Sequence, residues 1–90
     1  MYSLRATERF LRTAARFLGQ HRDLEDLLAA VAALLCQDPF HPSLKTHALK
    51  GSLSGIHAVR LTYRYRSTLL IVVKERTVTL LDIGSHDDVY

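Results

Sequence analysis

His47, Lys50, Arg60, Arg64, Arg66 and His86 form a basic, histidine-rich set in the C-terminal half of this chain. A guanidinium is planar, permanently charged and shaped to grip phosphate. An imidazole serves as acid or base near neutral pH. Phosphoryl transfer without a metal needs a base for the attacking oxygen, an acid for the leaving oxygen, and fixed cations for the charge that develops. RNA brings its own nucleophile, the 2′-hydroxyl, so the set suits RNA cleavage better than DNA cleavage. The arginines lie in Ile56–Arg66, IHAVRLTYRYR, which alternates. Val59, Leu61, Tyr63 and Tyr65 share one parity, and Arg60, Thr62, Arg64 and Arg66 share the other. On a β-strand this gives an apolar, aromatic face and a basic one. The same pattern also describes a solvated strand whose long side chains cover the sheet. A lone loop histidine is ordinarily surface decoration, and His21 and His41 are left to that reading. His57, at the strand start, is unassigned.

Other chemistries find little support. His41 and His47 sit in a loop without suitably spaced acidic residues, and no zinc-binding motif matches. There is no phosphate-cradling glycine loop and no Gly-x-Ser-x-Gly. Cys36 stands at the end of an apolar helix and reads as inert core. No metal or cofactor is expected. The formal charge of +3 suits a polyanionic partner. Ninety residues make one domain, 1–90, with a modest core, since a chain this short buries only about 60% of its unfolded surface. A single cysteine allows no internal disulfide and fits a reducing compartment. The longest apolar run, Leu27–Cys36, falls short of the ~20 residues that span a bilayer. MYSLRATERF lacks the hydrophobic core of a signal peptide. A soluble, cytoplasmic protein without membrane contact is expected.

Positioning these residues falls to two helices and a sheet. Phe10, Leu11, Ala14, Phe17 and Leu18 recur at helical spacing behind Thr7, a plausible N-cap, and Gly19 can end that helix. Arg5, Arg9, Arg12 and Arg16 make a basic stripe on it. Asp23 can cap a second helix carrying Leu24, Leu27, Leu28, Val31, Leu34 and Leu35, which Pro39 ends. Gln37–Gly55 reads as a long loop. Strands are expected at about Ile56–Tyr63, Thr68–Val73 and Val78–Ile83, with Thr68–Val73 central and buried on both faces. Lys74–Arg76 forms a hairpin turn, and Gly84-Ser85 breaks the last strand before a short tail. Tyr2–Arg5 is long enough only for a brief edge strand. The fold class is α+β: an N-terminal helical hairpin packed on one face of an antiparallel sheet.

Three segments carry a resemblance. DPFHPSLKTHALKG (Asp38–Gly51), the strand ending in Tyr65-Arg66, and LLDIGSHDDVY (Leu80–Tyr90) resemble, in order and at the expected length, the RelE/ParE superfamily of bacterial toxins, nearest its YafQ-like (RelE/StbE) group. The resemblance implies a RelE-like toxin of a type II toxin–antitoxin system: a ribosome-dependent mRNA endonuclease, held by a cognate antitoxin in a hetero-oligomer. It implies metal-free 2′-hydroxyl attack that leaves a 2′,3′-cyclic phosphate and a 5′-hydroxyl. Position by position, His47 matches the loop histidine in its Lys-x-His-x-Leu-x-Gly context. Arg66 matches a phosphate-gripping arginine after an aromatic residue, His86 the histidine after Gly-x, and Tyr90 the C-terminal aromatic residue. Arg60 stands where relatives carry lysine or histidine, and Arg64 where YafQ-like relatives carry an acid. YafQ itself has a histidine at the Arg60 position and an arginine near Asp82.

The expected roles are His47 as general base and His86 as general acid, in an order that spacing leaves exchangeable. Arg66 would hold the scissile phosphate and Tyr90 would stack on a base. Lys45, Lys50, Arg60 and Arg64 would bind substrate. His21→Ala is the expected neutral control. The arginine stripe reads either as an antitoxin docking surface or as a solvated helix face. The alternative function is a ParE-like gyrase poison, or a degenerate toxin that only binds antitoxin or RNA. The two histidines in motif context argue against the ParE branch.

Overall fold

Thr7 sits where the chain turns from strand to helix, and it serves both. In the computed structural model, which describes residues 1–49 and 55–85, its backbone N–H donates to the Leu80 carbonyl at 3.1 Å. Its Oγ1 accepts from the Phe10 N–H at 3.0 Å, capping α1 (Glu8–Gln20). The helix runs through Gly19 and ends only at Gln20. The helical spacing holds: Phe10, Ala14 and Phe17 are buried, and only Leu11 of the apolar set is exposed. A 3-10 turn, Arg22–Leu24, leads into α2 (Glu25–Gln37). Asp23 is therefore not an N-cap. The cap position falls on Leu24, which makes no side-chain bond, and Glu25 and Asp26 supply the negative charge that a helix N-terminus favours. Val31 and Leu35 of the leucine stripe are buried, and Leu24, Leu27, Leu28 and Leu34 pack partly buried against the core.

The sheet has five strands, in the order β1-β5-β4-β3-β2. They are β1 (Ser3–Ala6), β2 (His47–Ala48), β3 (Ile56–Arg60), β4 (Tyr65–Val72) and β5 (Thr77–Ser85). Three pairings are antiparallel. The brief N-terminal strand pairs parallel with β5, Leu4 opposite Val78, so the sheet is mixed. The middle place belongs to β4, as the apolar run TLLIVV foretold. One of its faces is core, with Leu69 and Ile71 buried, while Leu70 and Val72 on the other are only half-buried. Val59, Leu69, Ile71, Val78, Leu80 and Ile83 join Phe10, Phe17, Val31 and Leu35 in one core cluster. Both helices therefore cover the same face of the sheet. Residues alternating with that set lie on the helix-free face.

Two expectations give way here. Gln37–Gly55 is not all loop: Pro42–Leu44 forms a 3-10 turn that buries Leu44, and His47–Ala48 forms the edge strand β2. Gly84-Ser85 does not break the last strand, since β5 continues through both to pair Ser85 with Tyr65. Gly55 opens β3 with φ +92, a region that favours glycine, and its carbonyl accepts from the Ile71 N–H at 2.9 Å. A Cβ there would lie 3.0 Å from Leu70 Cδ1.

Candidate active site

Ile56–Arg66 is not one strand. β3 stops at Arg60 and β4 starts at Tyr65. Between them Thr62 makes the turn: its Oγ1 accepts from the Arg64 and Tyr65 N–H groups, both at 3.2 Å. A hydroxyl that bonds backbone two and three residues on is a turn-forming device in its own right. Tyr63, expected on the apolar face, is instead 83% exposed on this turn. Arg64 is exposed beside it.

The fold-back places two of the arginines directly opposite one another. Arg60 and Arg66 are cross-strand partners, and Arg66 is in turn opposite Gly84 on β5. Partners across a ladder share a face. Val59 and Ser67, their chain neighbours, are buried on the helix side, so Arg60 and Arg66 occupy the helix-free side. Both are half-buried. Like charges at this range repel, and an anion lying between them removes the repulsion. Two of the arginines also meet a ring: Arg60 lies over Tyr63 and Arg64 over Tyr65, both at 5.7 Å from the centroid.

His47 reaches the same face from the next strand. It pairs with Ala58, two residues before Arg60, which leaves it diagonal to Arg60 at a Cα spacing of about 7–8 Å. Its Nδ1 lies 3.0 Å from the Lys45 carbonyl, which can only accept. In the neutral ring Nδ1 therefore carries the proton and Nε2 the lone pair. Lys45 holds φ 51 at the end of the 3-10 turn, and its side chain is exposed. His47, Arg60 and Arg66 are thus gathered, Lys45 borders them, and Arg64 sits on the turn at the end of the β3–β4 pair. Lys50, His86 and Tyr90 lie outside the described residues.

The remaining histidines separate by role. His41 caps the 3-10 turn, accepting from the Ser43 N–H at 3.2 Å. His57 is a packing residue on the helix side: its Nδ1 donates to the Gly55 carbonyl at 2.9 Å and its ring meets Phe40 edge-on. His21 is not surface decoration. Its ring stacks at 4.6 Å on Phe17 and at 4.7 Å on Tyr65, joining the end of α1 to the first residue of β4. Phe17 is a local partner four residues back, but no local signal announces Tyr65, which lies 44 residues further along the chain. His21→Ala is accordingly expected to cost about 1 kcal/mol, the size of an aromatic pair, and a urea titration measures it. A midpoint equal to that of the unsubstituted chain would return His21 to the role of neutral control.

The basic stripe also divides. Arg5 lies on β1, while Arg9, Arg12 and Arg16 lie on α1. Arg9 bonds Asp82 Oδ2 at 3.1 Å. This pair is exposed on the arginine side and is worth little by itself.

Two helices packed on one face of a five-stranded mixed sheet are the α+β architecture of the RelE/ParE toxins. Within that superfamily the chain belongs to the YafQ family: residues 2–90 match the family described as "Bacterial toxin of type II toxin-antitoxin system, YafQ". Among solved structures it is similar to a metal-bound toxin from Helicobacter pylori, with 26% identity, TM-score 0.79 and all of both chains covered. It also shares the fold of YafQ in the E. coli DinJ–YafQ complex, at 14% identity and TM-score 0.84, over 100% of this chain and 99% of that one. A YoeB/ParE toxin from Agrobacterium tumefaciens follows at 15% identity and TM-score 0.78, over 93% of this chain and 98% of that one. No curated protein sequence matches the chain. No helix among the described residues is long and apolar enough to cross a membrane.

Proposed function

We propose that this toxin is a ribosome-dependent mRNA endonuclease that cleaves by attack of a 2′-hydroxyl on the adjacent phosphate. The observation that carries the reading is the Arg60–Arg66 cross-strand pair, with His47 on the next strand of the same face. Two opposed guanidiniums form a cradle for a phosphate whose charge grows in the transition state. The Nε2 lone pair of His47 takes the 2′-hydroxyl proton; the oxygen then bonds to phosphorus, and the P–O5′ bond breaks. A proton from the general acid, assigned to His86 by the family motif, completes the 5′-hydroxyl. Tyr90 stacks on a base, and Lys45, Lys50 and Arg64 hold flanking phosphates. The H. pylori relative is metal-bound. Among the described residues of this chain no three His, Cys, Asp or Glu side chains gather to hold a metal.

The partner that restrains the toxin is a cognate antitoxin, by the precedent of the E. coli DinJ–YafQ complex. It would cover the basic face with an acidic segment. The deciding experiment is induction of the toxin in cells, with mapping of RNA 5′ ends alongside plasmid topology. Cuts confined to translated messages, bearing 5′-hydroxyls and 2′,3′-cyclic phosphates, support the nuclease. Gyrase-linked DNA breaks with intact messages would replace it by the gyrase-poison reading.

A further inference from the structure

β5 outruns its parallel partner. β1 accompanies it only to Leu80, so beyond that residue β5 has β4 on one side and, among the described residues, no strand on the other. α1 lies along this open edge. The Asp82 carboxylate folds back over it: Oδ1 accepts from the Ile83 N–H at 2.9 Å, and Oδ2 from Arg9 at 3.1 Å. Beside this pair a cavity of about 300 Å³ opens between helix and strand. Thr13, Arg16 and Gln20 of α1 wall it, and the buried Phe17 and Ile83 floor it. It reaches Gly84, the residue opposite Arg66.

The chemistry of this lining is selective. Asp82, its one acid, is already neutralised by Arg9, while Arg16 has no acidic partner among the described residues. Thr13 Oγ1 donates to the Arg9 carbonyl at 2.8 Å, which leaves its lone pairs as acceptors. The exposed Gln20 amide offers both donors and an acceptor. A carboxylate from an acidic peptide would use Arg16 and little else. A nucleotide uses the whole lining: phosphate on the guanidinium, base edge on the amide and hydroxyl, and ring over the apolar floor. The cavity opens on the helix side and the Arg60–Arg66 pair lies on the helix-free side. A nucleotide strand joining them therefore rounds the edge of β5 at Gly84, one inter-strand step of about 4.8 Å from Arg66, where no Cβ stands in its path. We propose that this cavity is a subsite for one nucleotide of single-stranded RNA, reached around the β5 edge from the phosphate held by Arg60 and Arg66, and that Gln20 reads its base. The proposal rests on the nuclease reading above.

The test titrates a fluorescein-labelled RNA decamer of mixed sequence with the full chain, by anisotropy, at several salt concentrations. Arg16→Ala should weaken binding about tenfold, the worth of one charged hydrogen-bonded contact. It should also lower the slope of log K against log salt by about 1. Gln20→Ala should leave that slope unchanged and flatten the base preference at one position beside the mapped cuts. Arg12→Ala, on the same helix but outside the cavity, should leave both readouts unchanged. An Arg16→Ala curve that superimposes on that of Arg12→Ala overturns the subsite. Unchanged RNA binding with a weakened antitoxin complex also overturns it, and assigns the cavity to the protein partner. Loss of cleavage in Arg66→Ala with silent Arg16→Ala and Gln20→Ala variants rejects the subsite alone. Absence of cuts in the unsubstituted chain rejects the nuclease reading, while the anisotropy still tests whether the cavity holds RNA.

Discussion

Replacing Arg66 with alanine is expected to lower message cleavage by about a hundredfold or more and to abolish growth arrest, without loss of the fold. The rate effect follows from removing a fixed donor aimed at developing phosphorane charge. Retention of the fold follows from position. Arg66 faces another cation, Arg60, and a glycine, so truncation relieves repulsion and leaves no buried partner unsatisfied. Arg66→Lys keeps the charge but loses the planar two-pronged grip, and should recover only part of the activity. Arg64→Ala, on the exposed turn, should show a smaller loss, chiefly in substrate affinity. Mapped-cut frequency and single-turnover rate on programmed ribosomes measure these effects, with thermal unfolding as the control. Full activity in Arg66→Ala would place the chemistry elsewhere.

Leu69→Ala should bring the domain close to unfolding. Leu69 is fully buried in the middle of the central strand. Emptying such a site costs about 2–5 kcal/mol in lost transfer energy and cavity. A domain of this size holds in all only about 5–13 kcal/mol, at 0.05–0.15 kcal/mol per residue. The variant should thus lose a large part of its urea midpoint and lose toxicity with it. The two substitutions separate by their readouts: Arg66→Ala is folded and inert, Leu69→Ala inert because it is scarcely folded. A midpoint shift equivalent to less than about 1 kcal/mol would mean the strand around Leu69 collapses to fill the space.

The helices were legible because their signals are local. Thr7 and the period of Phe10, Ala14 and Phe17 lie within three turns, and the leucine stripe repeats the same arithmetic. The turn at Leu61–Arg64 was hidden because it contains neither glycine nor proline. A threonine hydroxyl makes it, inside a run whose alternation never falters. Arg60 and Arg66 still fall on one face, since residues of equal parity either side of that turn pair across the ladder. Arg64 does not join them. The parallel pairing of β1, the ring stack of His21 on Tyr65, and the cavity between α1 and β5 all join segments far apart in the chain, which composition and spacing do not encode. His86, Tyr90 and Lys50 rest on the family motif.

The pairing of β1 with β5 carries a consequence for the order of events during synthesis. Ser3 waits for Thr77, and the Thr7 N–H waits for the Leu80 carbonyl. β1 thus leaves the ribosome well before β5, the strand it pairs with. Contacts of such sequence separation are slow to close. Until β5 docks, β4 lacks one of its two neighbours and Arg66 faces no Gly84. Arg60 and Arg66 are therefore synthesised before the strand that completes their platform, and the sheet that presents them closes only when β5 docks.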